Sequence, residues 1–184
     1  MKQTALLLID LQQEYATEGL LPLENIDETS SKAAQLLAFA RHHNYLVIHI
    51  HHVNRQAKAS YFKPDSIGVK VIQGVEPKGS EAVIIKHRPN AFVETDLQTR
   101  LSKHGITNLV IAGAMSHMCI EASTRAAVDI GLQCTVIENA CTTRELEFNG
   151  VTVPAKQVHA ASMAALAFAY AEVVPYEQYI SAVD

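Results

Sequence analysis

Short apolar runs alternate with longer amphipathic segments along the whole chain. Several runs are apolar throughout and rich in β-branched residues, a pattern typical of parallel strands covered on both faces. These predicted strands span residues 4–10, 45–53, 81–86, 108–114, 133–140 and 171–176. Apolar residues at helical spacing between them predict helices over residues 27–44, 93–105, 117–131 and 154–170. The alternation predicts an α/β protein whose parallel sheet has right-handed crossovers.

One connection lacks a helical pattern. Residues 54–80 carry glycine, proline, serine and charged residues without clear periodicity. Connections of this length in a compact domain are usually functional, and ligands of parallel α/β sheets bind beyond the carboxyl ends of the strands. We therefore expect residues 54–80 to form a loop over a binding site at that edge.

Composition narrows the class of protein. The 184 residues are 48% hydrophobic and 18% charged, as in an ordinary globular protein, and predict a single domain over residues 1–184. The net charge of −4 contains no long block of one sign, so we expect neither nucleic-acid nor membrane binding and favour a small-molecule partner. Neither a secretory signal nor a membrane-spanning run is apparent, which predicts a cytoplasmic protein.

Three side chains with chemical potential follow predicted strands. Asp10 ends the first strand, Lys86 ends the third, and Cys119 follows the turn after the fourth. Because the carboxyl ends of parallel strands share one edge and a buried charge needs a partner, we expect Asp10 and Lys86 to end adjacent strands and to pair. The alternatives are a carboxylate that caps a turn, a surface lysine and a structural core cysteine.

The chain has three cysteines, an odd number without a CxxC pair, which argues against a disulfide framework or a structural zinc site. Cys134 lies within an apolar strand and is predicted to belong to the core, and Cys141 falls just past the end of the fifth strand. Cys119 begins a predicted helix. The helix dipole and the Lys86 ammonium are both expected to lower the pKa of its thiol.

A thiol beside a carboxylate and an ammonium suits attack on a carbonyl carbon. Asp10 would take the thiol proton and later give it to the leaving amine, while Lys86 would hold the thiolate. The Cys119 amide and a second amide from the turn at residues 113–118 would bind the oxyanion. This arrangement predicts hydrolysis of a C–N bond through a thioester.

Histidines provide two further hypotheses. A histidine is the usual partner of a catalytic thiol, so His117 and the pair His51 and His52 are rival bases. His49 and His51 lie two apart on a strand, point to the same face and could share a metal ion. However, neither a carboxylate nor a third histidine follows at suitable spacing in residues 54–80, so we expect no metal.

Four stretches carry a family resemblance. They read LLLIDLQQEY, IIKHRPNAFVETDLQTRL, GAMSHMCIEASTRAA and ENACTTRELEFNGVTVPAKQVHAASMAALA. Together they resemble the isochorismatase-like cysteine hydrolase superfamily over nearly the whole chain. The last stretch is most similar to the branch that contains streptothricin-type hydrolases.

The resemblance implies a three-layer, Rossmann-like α/β fold with a six-stranded parallel sheet in the order 3-2-1-4-5-6 and helices on both faces. It implies a catalytic triad of Asp10, Lys86 and Cys119. It also implies a non-proline cis peptide at Ala114-Met115, which shapes an oxyanion hole formed by the backbone amides of Met115 and Cys119.

The superfamily is mixed in function. Because Cys119 is retained, an amide, lactam or carbamoyl substrate is favoured, hydrolysed without a cofactor. The alternatives are isochorismatase-type vinyl-ether hydrolysis, which does not depend on a thiol, and a non-hydrolytic protein that uses the thiol as a redox sensor or the cleft as a binding site.

Substrate contacts and assembly are less constrained by the sequence. Six residues near the expected cleft are predicted to touch substrate: Gln12, Tyr15, Tyr61, Phe62, Phe92 and His117. The family resemblance implies a homo-oligomer, either a dimer or a tetramer, and the alanine-rich helix 155–171 offers a smooth face for packing.

Overall fold

The computed structural model of the protein describes residues 3–56 and 58–183. Residues 1, 2, 57 and 184 lie outside the described residues, and residue 57 belongs to the predicted loop 54–80. The central strands are β1 (Thr4–Ile9), β2 (Leu46–His52), β3 (Ala82–Lys86), β4 (Asn108–Ala114), β5 (Gln133–Thr142) and β8 (Ala171–Val174). They form a parallel sheet in the order β3-β2-β1-β4-β5-β8. The predicted fold class is confirmed, with the sixth strand of the sheet being the eighth in the chain.

Two short strands, β6 (Leu146–Phe148) and β7 (Val151–Val153), form an antiparallel hairpin that sequence analysis missed. Phe148 and Val151 are exposed, so the hairpin lacks the alternation of buried and exposed residues that marks longer strands. The available signal was the Asn149-Gly150 pair, since both residues adopt positive φ, as a two-residue hairpin turn requires.

Helices cover both faces of the sheet, because each presents an apolar side to it. They are α1 (Ile26–His42), α2 (Leu97–Lys103), α3 (Glu121–Asp129), α4 (Ala155–Ala169) and α5 (Tyr176–Val183). Side chains of α2, α3 and α4 join the apolar core on one face, whereas α1 and α5 pack over the core on the other. Within the described residues, no helix is long and apolar enough to span a membrane.

Two expectations about strand ends are wrong. Asp10 and Lys86 do not end adjacent strands, because β2 lies between β1 and β3. Cys141 does not follow the fifth strand but lies within it, since β5 shifts its register against β4 and continues to Thr142. The polar residues in the middle of β5 resemble a strand end in the sequence.

Candidate active site

Asp10, Lys86 and Cys119 meet at the carboxyl edge of the sheet. Lys86 reaches past the end of β2, and its Nζ lies 2.7 Å from Asp10 Oδ2 and 3.2 Å from Cys119 Sγ. The side chains of Asp10 and Lys86 are fully buried and Cys119 is 6% exposed, so their charges interact with little solvent screening. The structure therefore brings together the three residues to which the sequence assigns catalysis.

A fourth side chain contacts the same ammonium. His52, at the end of β2 and beside Lys86 in the register of β2 and β3, places Nδ1 3.2 Å from Lys86 Nζ. Burial, followed by the positive charge of Lys86, lowers the pKa of His52 to about 4, so the ring is neutral at pH 7 and Nδ1 accepts the hydrogen bond. Sequence analysis considered His52 only as a rival base for the thiol.

Lys86 keeps its charge in this environment. Burial lowers the pKa of Lys86, but the attraction of Asp10 and Cys119 and its hydrogen bonds to both outweigh that effect, so the pKa is raised above its usual value. The charged ammonium lies 3.2 Å from the Cys119 sulfur, where it would stabilise a negative charge.

The expectation of a lowered Cys119 pKa is wrong. Burial, followed by the negative charge of Asp10, raises the pKa of the thiol to about 12, although Lys86 acts in the opposite direction. The desolvation that comes with burial outweighs both the helix start and the lysine, and sequence alone does not reveal its depth. Cys119 is therefore a thiol at rest, and an attack by its sulfur would need a base.

Asp10 is placed to be that base. Its Oδ2 lies 2.7 Å from Lys86 Nζ, and, besides burial, a hydrogen bond between its carboxylate and the Cys119 thiol contributes to the raised pKa of that thiol. Asp10 also adopts a left-handed φ of 54°, a conformation that Asp tolerates better than most residues. A carboxylate within hydrogen-bond reach of the thiol has the geometry that a proton acceptor requires.

The turn that carries Cys119 is tightly constructed. The Ala114-Met115 peptide bond is cis, at the position implied by the family resemblance, and residues Ser116–Ile120 form a single π-helical turn before α3. Gly113 precedes them with a φ of 129°, and a Cβ there would lie 2.0 Å from the Ile9 carbonyl oxygen. Only glycine lets β4 approach β1 so closely at this point.

Side chains anchor this turn to the end of β5 and to α4. The Ser116 hydroxyl donates to the Thr142 carbonyl over 3.1 Å and lies 2.8 Å from Nδ1 of His159, which sequence analysis did not consider. His117 Nδ1 lies 2.6 Å from Thr143 Oγ1. His117 is thus held by the residue after β5, and among the described residues no hydrogen bond joins it to Cys119.

The loop 54–80 forms a fixed wall beside the site. Phe62 packs its ring edge-on against Tyr15 and His52, with ring centroids 5.0 and 5.1 Å apart, and its N–H donates to Glu14 Oε1 over 2.9 Å. Burial raises the pKa of Tyr15, and the charges of Asp10 and Cys119 raise it further, so its phenol is neutral and lies close to both. Phe62 and Tyr15 thus lie beside Asp10 and Cys119, where the sequence predicts substrate contacts.

The other predicted substrate contacts differ in their surroundings. The Gln12 amide N–H groups donate to the carbonyls of His52 and Val69, and its Oε1 accepts from the His52 N–H. The Gln12 amide thus joins β2 to the loop, and its contact with substrate stays a prediction. Tyr61 is 42% exposed, and the half-buried Phe92 packs against the core on the Cys119 side.

Arg144 is a residue at the mouth of the site that sequence analysis missed. It directly follows Thr143. Burial lowers the pKa of His117 and the positive charge of Arg144 adds to that lowering, whereas at Tyr15 burial raises the pKa and outweighs the opposite effect of Arg144. It is exposed, and no carboxylate of the described residues pairs with its guanidinium. The only signal was its place just after a strand end.

His49 and His51 lie on the β2 face away from His52. His49 Nε2 lies 3.1 Å from Glu81 Oε2, and the two imidazole rings are 6.4 Å apart. Within the described part of the chain, no three His, Cys, Asp or Glu side chains form a group that could hold a metal ion.

Comparisons with known proteins agree with this fold. Residues 4–178 match the model of the isochorismatase domain. An uncharacterised isochorismatase family protein of Bacillus subtilis, YddQ, is 42% identical over 177 residues, 96% of this chain and 98% of the relative. The maleamate amidohydrolase of Pseudomonas putida is 29% identical over 153 residues, 74% of this chain and 70% of that enzyme.

A crystal structure from Oleispira antarctica, named as an isochorismatase hydrolase, superposes with a TM-score of 0.94 at 45% identity and covers 98% of this chain and 97% of its own. The chain belongs to the isochorismatase family of hydrolases. The family resemblance inferred from the four sequence stretches is confirmed.

Proposed function

We propose that the protein is a cofactor-independent cysteine hydrolase that cleaves a C–N bond of a small amide, lactam or carbamoyl compound through a thioester on Cys119. The observation that carries this proposal is the Lys86 ammonium between Asp10 and Cys119, combined with the hydrogen bond between the Asp10 carboxylate and the Cys119 thiol. A thiol with a raised pKa next to a carboxylate suits proton transfer that accompanies attack.

The reaction follows in two stages. Asp10 takes the proton of the Cys119 thiol as sulfur attacks the carbonyl carbon, and the Lys86 ammonium stabilises the growing charge. The backbone amides of Met115 and Cys119 would bind the oxyanion. When the tetrahedral intermediate collapses, the C–N bond breaks and the leaving amine takes the proton from Asp10.

The thioester is then hydrolysed. Asp10 removes a proton from a water molecule that attacks the carbonyl carbon, and the C–S bond breaks. The sulfur recovers its proton from Asp10, which leaves an acid as product and restores the resting thiol.

Two observations narrow the substrate. The relative named maleamate amidohydrolase supports an amide as the reacting group. Arg144 offers a guanidinium without an acidic partner among the described residues, which favours a substrate with a negative group away from the reacting carbonyl.

A screen of small amides, lactams and carbamoyl compounds, each with and without a carboxylate, tests the proposal on the wild type and on Cys119→Ala. We expect turnover by the wild type only, with the acyl group trapped on Cys119 and detected by mass spectrometry. Cys134→Ala is the matched control, because Cys134 lies in the core of β5.

Other outcomes would select the alternatives. Activity that survives Cys119→Ala but not Asp10→Ala would indicate thiol-independent, isochorismatase-type hydrolysis. Reversible oxidation of Cys119 without turnover of any compound would indicate a redox or binding role.

A further inference from the structure

The contact between His52 and the catalytic ammonium has no counterpart in the predicted Asp-Lys-Cys triad. We propose that His52 is a positioning residue for this hydrolase: its imidazole accepts the third hydrogen of Lys86 Nζ and so fixes the ammonium on Asp10 and Cys119. The inference rests on the proposed function, because it assigns Lys86 a role in activating the thiol.

The Lys86 ammonium has as many acceptors in reach as it has N–H donors. An ammonium has three N–H donors and no acceptor. Lys86 Nζ has three partners in reach, Asp10 Oδ2 at 2.7 Å, Cys119 Sγ at 3.2 Å and His52 Nδ1 at 3.2 Å. With each donor assigned to one acceptor, the rotation of the ammonium about its Cε–Nζ bond is fixed.

Removal of His52 would leave a buried, charged donor without a partner. Such a donor costs more than the hydrogen bond itself is worth, so the side chain would shift to find another acceptor. Lys86 is fully buried and the remaining acceptors are Asp10 and Cys119, which means that any shift changes the charge felt by the thiol.

Two sets of contacts hold His52, one on its main chain and one on its imidazole ring. Gln12 binds both the N–H and the carbonyl of His52, with Oε1 2.7 Å from the nitrogen and Nε2 3.0 Å from the carbonyl oxygen. The Phe62 ring packs edge-on against the imidazole from the loop 54–80. A residue that only ended a strand would not need its main chain and its ring fixed independently.

His52 therefore connects the loop wall to the catalytic ammonium. The sequence of contacts runs from Phe62 through His52 to Lys86, and Gln12 ties the same loop to the same histidine. A change in the wall would thus reach the thiol through His52 without any contact between the loop and Cys119.

The test compares the alkylation of Cys119 by iodoacetamide in the wild type, His52→Leu and His52→Asn, followed by mass spectrometry at pH 8. No substrate is needed. We expect His52→Leu to react about tenfold more slowly, equivalent to one pKa unit at the thiol. His52→Asn keeps an acceptor oxygen near the position of Nδ1 and should stay within about threefold of the wild type.

His51→Leu is the matched control, since His51 lies on the same strand but faces the other side of the sheet, and it should react at the wild-type rate. Circular dichroism checks that each variant is folded. A wild-type rate in His52→Leu would overturn the inference, and so would an equal loss in His52→Asn and His52→Leu, because the acceptor would then be irrelevant. Turnover that survives Cys119→Ala would refute the proposed function through a separate measurement.

Discussion

Two polar clusters, one buried and one partly exposed, lie on opposite faces of β2 and differ in what their carboxylates contact. The Lys86 cluster comprises Asp10, Lys86, Cys119 and His52. The Glu81 cluster comprises Arg41, His49 and Glu81. In the Glu81 cluster, both carboxylate oxygens accept hydrogen bonds from Arg41, and Oε2 also contacts His49 and the Lys78 N–H.

The contrast lies in the carboxylates. Glu81 has a partner for each oxygen, and its hydrogen bond to Arg41 is the main cause that lowers its pKa to about 2. Asp10 has the Lys86 ammonium at 2.7 Å and the Cys119 thiol, whose proton it could accept. Pairing with cations and N–H groups is typical of a cluster that stabilises the fold, whereas a buried carboxylate beside a thiol is a candidate for proton exchange.

The largest expected effect is a difference in activity between variants of Asp10 and of Glu81. Asp10→Asn removes the base while preserving shape, and should lower kcat/KM at least about a thousandfold. Glu81→Gln should leave kcat/KM within about twofold. Steady-state kinetics on the best compound from the screen measures both, and near-wild-type turnover in Asp10→Asn would contradict the assignment of Asp10.

The charges of the Lys86 cluster should also affect the free energy of unfolding. Lys86→Met leaves the Asp10 carboxylate buried without its cation, and should lower the free energy of unfolding by about 3–5 kcal/mol in urea titrations. The double variant Lys86→Met/Asp10→Asn removes both charges and should recover most of that loss without recovering activity. A double variant as unstable as Lys86→Met alone would show that the charges are not the cause.

The Glu81 cluster should respond to acid. Glu81→Gln should lower the free energy of unfolding by about 2 kcal/mol at pH 7, because Arg41 and His49 lose a charged acceptor. The folded pKa of Glu81 is depressed, so its contribution is present above its unfolded pKa near 4.5 and declines as the pH falls towards 2. Unfolding measured from pH 7 to 3 should therefore show the wild type and the variant converging, and a constant difference would contradict this account.

The smallest expected effect concerns the turn beside the Lys86 cluster. Ser116→Ala removes the hydrogen bonds to the Thr142 carbonyl and His159, and should lower stability by about 1 kcal/mol and kcat by about tenfold. Ser30→Ala is the matched control, because the buried Ser30 hydroxyl has no partner among the described residues. Equal kcat values in the two variants would mean that Ser116 does not support the turn.

Sequence reasoning succeeded where burial and strand ends decide the outcome. The apolar runs predicted the central strands, and the carboxyl-edge rule brought Asp10, Lys86 and Cys119 to one place, although their catalytic roles stay predictions. The order of strands came from the family resemblance. The residue patterns alone did not show that β2 lies between the strands that end at Asp10 and Lys86.

The failures have a common physical origin. The pKa of Cys119 depends on the depth of its burial, and the contact of His52 with Lys86 depends on the register between β2 and β3. The amide of Gln12 is occupied by a loop that has no pattern of its own. Each of these features arises from tertiary packing between segments distant in the chain, which local periodicity does not encode.

The protonated state of Cys119 affects how readily its sulfur is oxidised by peroxides. Peroxides react with thiolates far faster than with thiols, and sulfinic and sulfonic acids are largely irreversible products. A side chain held as a thiol with a pKa of about 12 and only 6% exposed is shielded from such damage. The burial that raises the pKa of Cys119 thus favours chemical durability over sensing.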